Sequence, residues 1–258
     1  MLVDTQSAEQ HAKRIAQIVA KSARGFFRNL LDIELKSDES PVTQADKAIE
    51  QEVRAYLELE FPKDGILGEE FGRSGLEEEY VWSIDPIDGT RSFLSGHPLF
   101  GFLLARLHNG RPTLGVIGMP ALDETIIAND ARTTLNGETV RVSSTTSLDQ
   151  AVLYVNEGEK MFGSHPEVFA TLMTSGQTRR FGYDCYPHAL VAMGHVDAVI
   201  DFDLQPYDYL PLVPIIQSAG GVISDWAGQA LTLNTGPTPV ITAATPELHA
   251  QLLQIVSV

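Results

Sequence analysis

The chain has 258 residues, 43% of them hydrophobic and 20% charged, with 34 acids against 18 bases and a formal net charge of −16. That length and balance fit one large globular domain or two packed halves. The charge argues against a nucleic-acid backbone as partner, because no basic stripe can displace its counterions. No stretch approaches the roughly 18 consecutive apolar residues of a membrane span. The single cysteine, Cys185, excludes an internal disulfide and a thiolate metal cluster, and its expected place is the core.

The opening stretch "MLVDTQSAEQHAKRIAQ" mixes both signs of charge and has no apolar leader core, so a cytoplasmic location is expected. Ala8, Ala12, Ile15, Val19 and Phe26 recur at helical spacing and predict an amphipathic helix over 7–31. The segment "DIELKSDESPV" breaks the pattern, and a second helix follows over 44–61, ended by Pro62. After "KDGILGEEFGRSG" strands are predicted at 80–85, 100–107, 113–118 and 125–129, with tight turns at "HNG" and "LNGE". This is an antiparallel run. From about 150 strands alternate with helices: strand 151–155, helix 165–174, helix 186–193, strand 196–201, helix 208–219, a strand within "GGVISDWAG", strand 240–243 and helix 246–256. The prediction is a mixed α/β protein, with an α+β half over 1–145 and an α/β half over 146–258.

The candidate site residues are acids at element ends. In "WSIDPIDGTRSF", Asp85 and Asp88 flank Pro86, which fixes φ and removes an N–H, so both carboxylates can face one point. Gly89 permits close backbone approach, and Thr90 opens a helix whose N–H groups can face an anion. The alternative is an ordinary Asp-Gly turn. In "LGEEF", Glu69 and Glu70 are either solvated loop residues or part of a site. Asp46 has capping-box spacing from Thr43, which is compatible with a site role. Asp208 in "QPYDYLPL" is either a helix N-cap or a site residue; Pro211 suits a first helical turn, and Pro214 would kink the helix. The seven histidines show no HExxH spacing, so zinc is not indicated, and a metal held by these oxygens would be Mg²⁺ or Mn²⁺.

In this order "SPVTQAD", "GILGEE", "WSIDPIDGTRSF" and "QPYDYLPLVPIIQSAGGVISDWAG" resemble the inositol monophosphatase-like family of Mg²⁺-dependent phosphatases, from about Lys36 to Gly228. The resemblance implies a five-layer αβαβα fold with two or three metal ions between its halves, and a small phosphorylated substrate. It implies Glu69, Asp85, Asp88 and Asp208 as metal-binding carboxylates, with the Ile87 carbonyl as a further ligand. Asp46 and Thr90 would orient and activate the attacking water together with Glu69, and Glu70 would lie close by. Gly89 and Thr90 would offer N–H groups to the phosphate. The lone cysteine and the absence of a DxDxT motif fit direct attack by water, without a phosphoenzyme. Family members are often homodimers, and the apolar run "PLFGFLLARL" suits core or interface.

Arg91 with the following "SFLSGHPLFGFLLA", and later "FGYDCYPHALVAMGHVDAVID", look like the family's histidinol-phosphatase branch. Histidinol phosphate carries an ammonium group, for which Asp184 is the candidate partner; alternatively Asp184 caps the next helix. Arg91 meets a phosphate oxygen or another substrate group, or pairs with a neighbouring acid. The competing substrates are inositol phosphates, sugar phosphates and 3′-phosphonucleotides.

Overall fold

The computed structural model describes residues 2–29, 33–35 and 41–257. Residues 30–31 of the predicted first helix, and 36–40, where the resemblance begins, lie outside the described residues. Helix α1 (Leu2–Phe26) presents a stripe of Ala8, Ala12, Ile15, Val19 and Ala23, all buried, towards α2 (Gln44–Glu60). Between them β1 (Ile33–Leu35) pairs antiparallel with β2 (Pro41–Thr43).

The first sheet uses β3 (Gly65–Gly68), β4 (Gly72–Ser74), β5 (Tyr80–Asp88), β6 (Gly101–His108), β7 (Arg111–Met119), β8 (Glu124–Asn129), β9 (Arg132–Leu135) and β10 (Glu138–Val140), with helix α3 (Thr90–Leu94) after β5. Its order is β10-β9-β8-β7-β6-β5-β3-β4. The predicted antiparallel run is real over β5 to β10, but β3 lies parallel to β5.

The remaining elements are β11 (Val152–Val155), α4 (Gly158–Ser164), α5 (Pro166–Leu172), β12 (Thr178–Phe181), α6 (Tyr186–Ala192), β13 (Ala198–Leu204), α7 (Pro206–Tyr209), α8 (Leu212–Ser218), β14 (Val222–Asp225), β15 (Thr238–Ala243) and α9 (Pro246–Val256). They form a second sheet of order β12-β11-β13-β15-β14, parallel among β12, β11 and β13 and antiparallel at β15.

Helices α1 and α2 cover one face of the first sheet, α6 and α8 lie between the two sheets, and α9 covers the far face of the second. The layers therefore run αβαβα. Burial on both faces explains the unbroken apolar run in β6. Phe102 and Leu104 face the α1–α2 layer, while Leu103, Ala105 and Leu107 face the middle layer. The run "PLFGFLLARL" thus serves the core of the chain. Among the described residues no helix is long and apolar enough to cross a membrane.

Two local expectations are corrected. The helix predicted over 208–219 is two, α7 and α8, and Asp208 is not an N-cap: Gln205 is, with Asp208 as the third helical residue of a capping box. Pro214 is the third residue of α8, and the break at Leu210–Pro211 lies one turn ahead of it, where its missing N–H withholds the helical bond to the Leu210 carbonyl. Ahead of the helix predicted at 165–174 the chain forms the additional α4.

Candidate active site

Residues three apart on a regular strand point to opposite faces. Asp85 and Asp88 escape this because β5 carries one extra residue against β6: Asp85 pairs with Leu103 and Asp88 with Gly101. Such a bulge re-aims side chains where the ladder is interrupted. Asp208, on the short helix α7, completes the group: Asp85, Asp88 and Asp208 each offer an oxygen within 4.8 Å of the other two. Asp85 is buried, and the other two are half-buried. Each is also held by a backbone N–H, from Ile87 to Asp85 at 3.0 Å, from Gln205 to Asp208 at 2.8 Å, and from Cys185 to Asp88. Cys185 is itself buried, as expected.

Withdrawal from water pushes Asp85 and Asp88 well above the usual carboxylate range, and neighbouring carboxylates push further: Glu69 on Asp85, Asp184 and Asp208 on Asp88. Asp208 is raised to about 8 by burial and by Glu69 and Asp201, against the opposing bond from Gln205. Three acids crowded into one low-dielectric corner ask either for protons or for a cation, and an all-oxygen donor set suits a hard divalent ion. Glu69 lies outside this triad but stands close enough to raise Asp85, and its N–H donates to the Ile84 carbonyl at 3.2 Å. Neither glutamate of "LGEEF" is a freely solvated loop residue; both are half-buried.

Asp46 is fully buried at the start of α2. One of its oxygens accepts from the Thr43 N–H (2.8 Å) and hydroxyl (2.5 Å), the other faces the Thr90 hydroxyl at 3.3 Å. Capping and site geometry therefore coexist in one carboxylate. The Thr90 hydroxyl also lies 3.3 Å from the Ile87 carbonyl. Gly89 precedes α3 in the left-handed region, φ 83°. A Cβ there would come within 2.3 Å of the Asp184 carboxyl carbon. Gly89→Ala is expected to cost about 1–3 kcal/mol in stability, read as a lowered denaturation midpoint, because strain and overlap add; an unchanged midpoint would show that the corner relaxes freely.

Asp184 does not cap the following helix, whose N-cap is Cys185 with no side-chain bond. Its carboxylate turns instead to the Ser92 hydroxyl at 2.5 Å. Burial raises it to about 6, with Glu157 and Asp201 adding and Ser92 and Arg91 opposing. Arg91 is exposed, and it lines a 270 Å³ cavity with His97, Tyr183, Glu157 and Asp184. The neighbouring 130 Å³ cavity runs from Asp88 and Asp208 past Asp184 to Glu157, Asp201 and Asp203. Lys160 stands at its edge, 3.0 Å from Glu157 and 3.2 Å from Asp203. Asp201 accepts from His188 Nε2 at 2.9 Å and Asn156 Nδ2 at 2.7 Å.

Sequence reasoning missed Glu157, Asp201 and Asp203. The alternating "IDFDL" of β13 was the one local signal for the two aspartates, and it reads equally as a strand end.

The pattern of the inositol monophosphatase family matches residues 4–257. The bifunctional phosphatase IMPL2 of Arabidopsis thaliana is 39% identical over 249 residues, 93% of this chain and 72% of that protein. A histidinol-phosphatase of Chlorobaculum parvum is 36% identical over 225 residues, 85% of this chain and 86% of that one. The structure of an inositol monophosphatase from Zymomonas mobilis superposes with a TM-score of 0.86 at 37% identity, covering 98% of both chains. Matched along nearly its whole length in sequence and in fold, the chain belongs to the inositol monophosphatase family and is a phosphomonoesterase.

Proposed function

We propose that this chain hydrolyses histidinol phosphate with Mg²⁺, Mn²⁺ being the alternative ion. The observation that carries the substrate is charge. Beyond Asp88 the cavity walls bring four carboxylates, Glu157, Asp184, Asp201 and Asp203, against one Lys160. Such a wall suits an alcohol bearing an ammonium and an imidazole, and a neutral polyol gains nothing from it. Identity does not discriminate, since the named histidinol-phosphatase and inositol monophosphatase relatives stand at 36% and 37%.

Asp85, Asp88 and Asp208, with Glu69 and the Ile87 carbonyl, are the groups that would hold two or three metal ions. Bound metal would neutralise the phosphate, acidify water and stabilise the leaving alkoxide. The protein's own groups position the reactants. Asp46 accepts from Thr90, which leaves the Thr90 oxygen lone pairs for a water proton, and Glu69 borders the same space. Gly89 and Thr90, at the start of α3, turn backbone N–H groups towards the phosphate. Water attacks phosphorus, the P–O ester bond breaks, and the products are the alcohol and inorganic phosphate, with no phosphoenzyme. Asp184 receives the substrate ammonium, and Arg91 stands at the outer rim.

The test is a panel of histidinol, inositol, sugar and 3′-nucleotide phosphates, assayed with and without Mg²⁺. Histidinol phosphate is expected to lead in kcat/KM. Asp184→Ala should raise KM for it about tenfold or more, as a charge-assisted bond is lost, and leave neutral esters within about twofold. An equal loss on every ester would remove Asp184 from substrate recognition, and a leading inositol phosphate would favour that substrate.

A further inference from the structure

Glu50 is 0% exposed in the middle of α2, one helical turn beyond Asp46 and on the same face. Burial of a lone acid is costly without partners. Its partners are specific. One oxygen accepts the Glu70 N–H at 2.7 Å; the other accepts the Phe71 N–H at 3.2 Å and Arg54 Nε at 2.7 Å. Arg54, one turn further along, donates to the Gly72 carbonyl. Two side chains of one helix thus bind three consecutive backbone groups of the β3–β4 turn.

That turn carries Glu69 and Glu70. It is short, with Gly68 paired to Gly72 at its base, and Phe71 at its tip is 45% exposed, so packing of its own side chains does little to hold it. Gly68 is what admits the lashing: a Cβ there would lie 1.9 Å from Glu50 Oε1 and 2.6 Å from Arg54 Nη2.

We infer that Glu50 is a positioning residue, which sets the Glu69 turn relative to Asp46 and so completes the metal-binding corner. Asp46, Glu50 and Arg54 sit at intervals of four on one rigid helix. The helix thereby transmits a fixed spacing from the Asp46–Thr90 pair at its start to the Glu69 turn. Glu50 touches no reacting atom. It acts through the two N–H groups it accepts. This inference rests on the metal reading of the site.

Glu50→Gln tests it. The amide replaces an acceptor with a donor against N–H groups that need acceptors, while shape is kept. Purified wild type and variant are titrated with Mg²⁺ by thermal shift, starting in EDTA, and assayed in parallel on the best ester. The expected result is a Mg²⁺ midpoint raised about tenfold and a lowered kcat, with KM for the ester within about twofold, the pattern for groups that orient metal ligands. A role in folding alone would lower the metal-free melting temperature and leave the Mg²⁺ midpoint in place, and that outcome overturns the inference. Should E50Q not fold, Arg54→Gln carries the decision: it frees the Gly72 carbonyl and leaves Glu50 Oε1 with the Phe71 N–H alone, and a threefold or larger rise in the Mg²⁺ midpoint is expected, an unchanged one being fatal. A wild type that ignores Mg²⁺ in the shift assay defeats the metal reading itself. A wild type that responds beside an unchanged variant defeats only Glu50.

Discussion

Asp88→Asn is expected to lower Mg²⁺-dependent kcat/KM about a thousandfold or more and at the same time to raise the melting temperature of the metal-free protein by about 2–4 °C. Both halves have one cause. Asp88 lies in a corner where three carboxylate oxygens stand within 4.8 Å, and Asp184 and Asp208 both push its proton affinity up. In the metal-free protein this crowding is a cost to the fold, on the order of 1 kcal/mol in all. Asn has the same shape, keeps an oxygen for the Cys185 N–H and removes a charge. With metal bound as proposed, the same crowding would form the binding site, so the variant would gain stability as it loses function, a trade expected of strained active sites. Steady-state kinetics and calorimetry in EDTA read the two effects. Undiminished turnover would remove Asp88 from the chemistry.

The second large effect is a coupling between pH and Mg²⁺. Asp208 is held near 8 against an ordinary value of 3.8, and Asp85 and Asp88 are displaced in the same direction. Between those two values the folded metal-free protein binds more protons than the unfolded chain. Its stability is therefore greatest at low pH within this window and falls as pH rises, until Asp208 has titrated near 8. Metal requires the deprotonated carboxylates, so Mg²⁺ binding expels these protons, and its apparent affinity should climb by up to about tenfold per pH unit for each proton released between pH 6 and 8. Melting curves from pH 5.5 to 8.5 should slope downward in EDTA and flatten in excess Mg²⁺. Calorimetric titration in two buffers of different ionisation heat counts the protons. A flat curve in EDTA, or an affinity independent of pH, would mean the corner is already charged and compensated.

The fold was legible where local chemistry and packing agreed. Helix α9 spans the predicted range because Thr245 caps it and Pro246 opens it. The capping box at Thr43 and Asp46 forms as its spacing requires. The short strands β3, β4, β9 and β10 and the break between α7 and α8 were not legible: three- or four-residue strands carry too little periodicity, and they exist through pairing with neighbours.

The site divides in the same way. Asp85, Asp88, Glu69, Asp46 and Asp208 stood out as acids in ordered motifs, since their chemistry is written in residue type and local spacing. Their convergence was not written there. It needed the extra residue in β5, the placement of α7 beside β5, and the lashing of the Glu69 turn to Glu50. The acidic wall of Glu157, Asp201 and Asp203 was further out of reach, because it is assembled from β13 and the segment after β11, facing the end of β5 in the first sheet. The amino-acid sequence by itself determined the chemical class of the groups and the family; only the tertiary structure decided which acids share a cavity, because carboxylate repulsion and desolvation act over a few ångströms of space, whatever the separation along the chain.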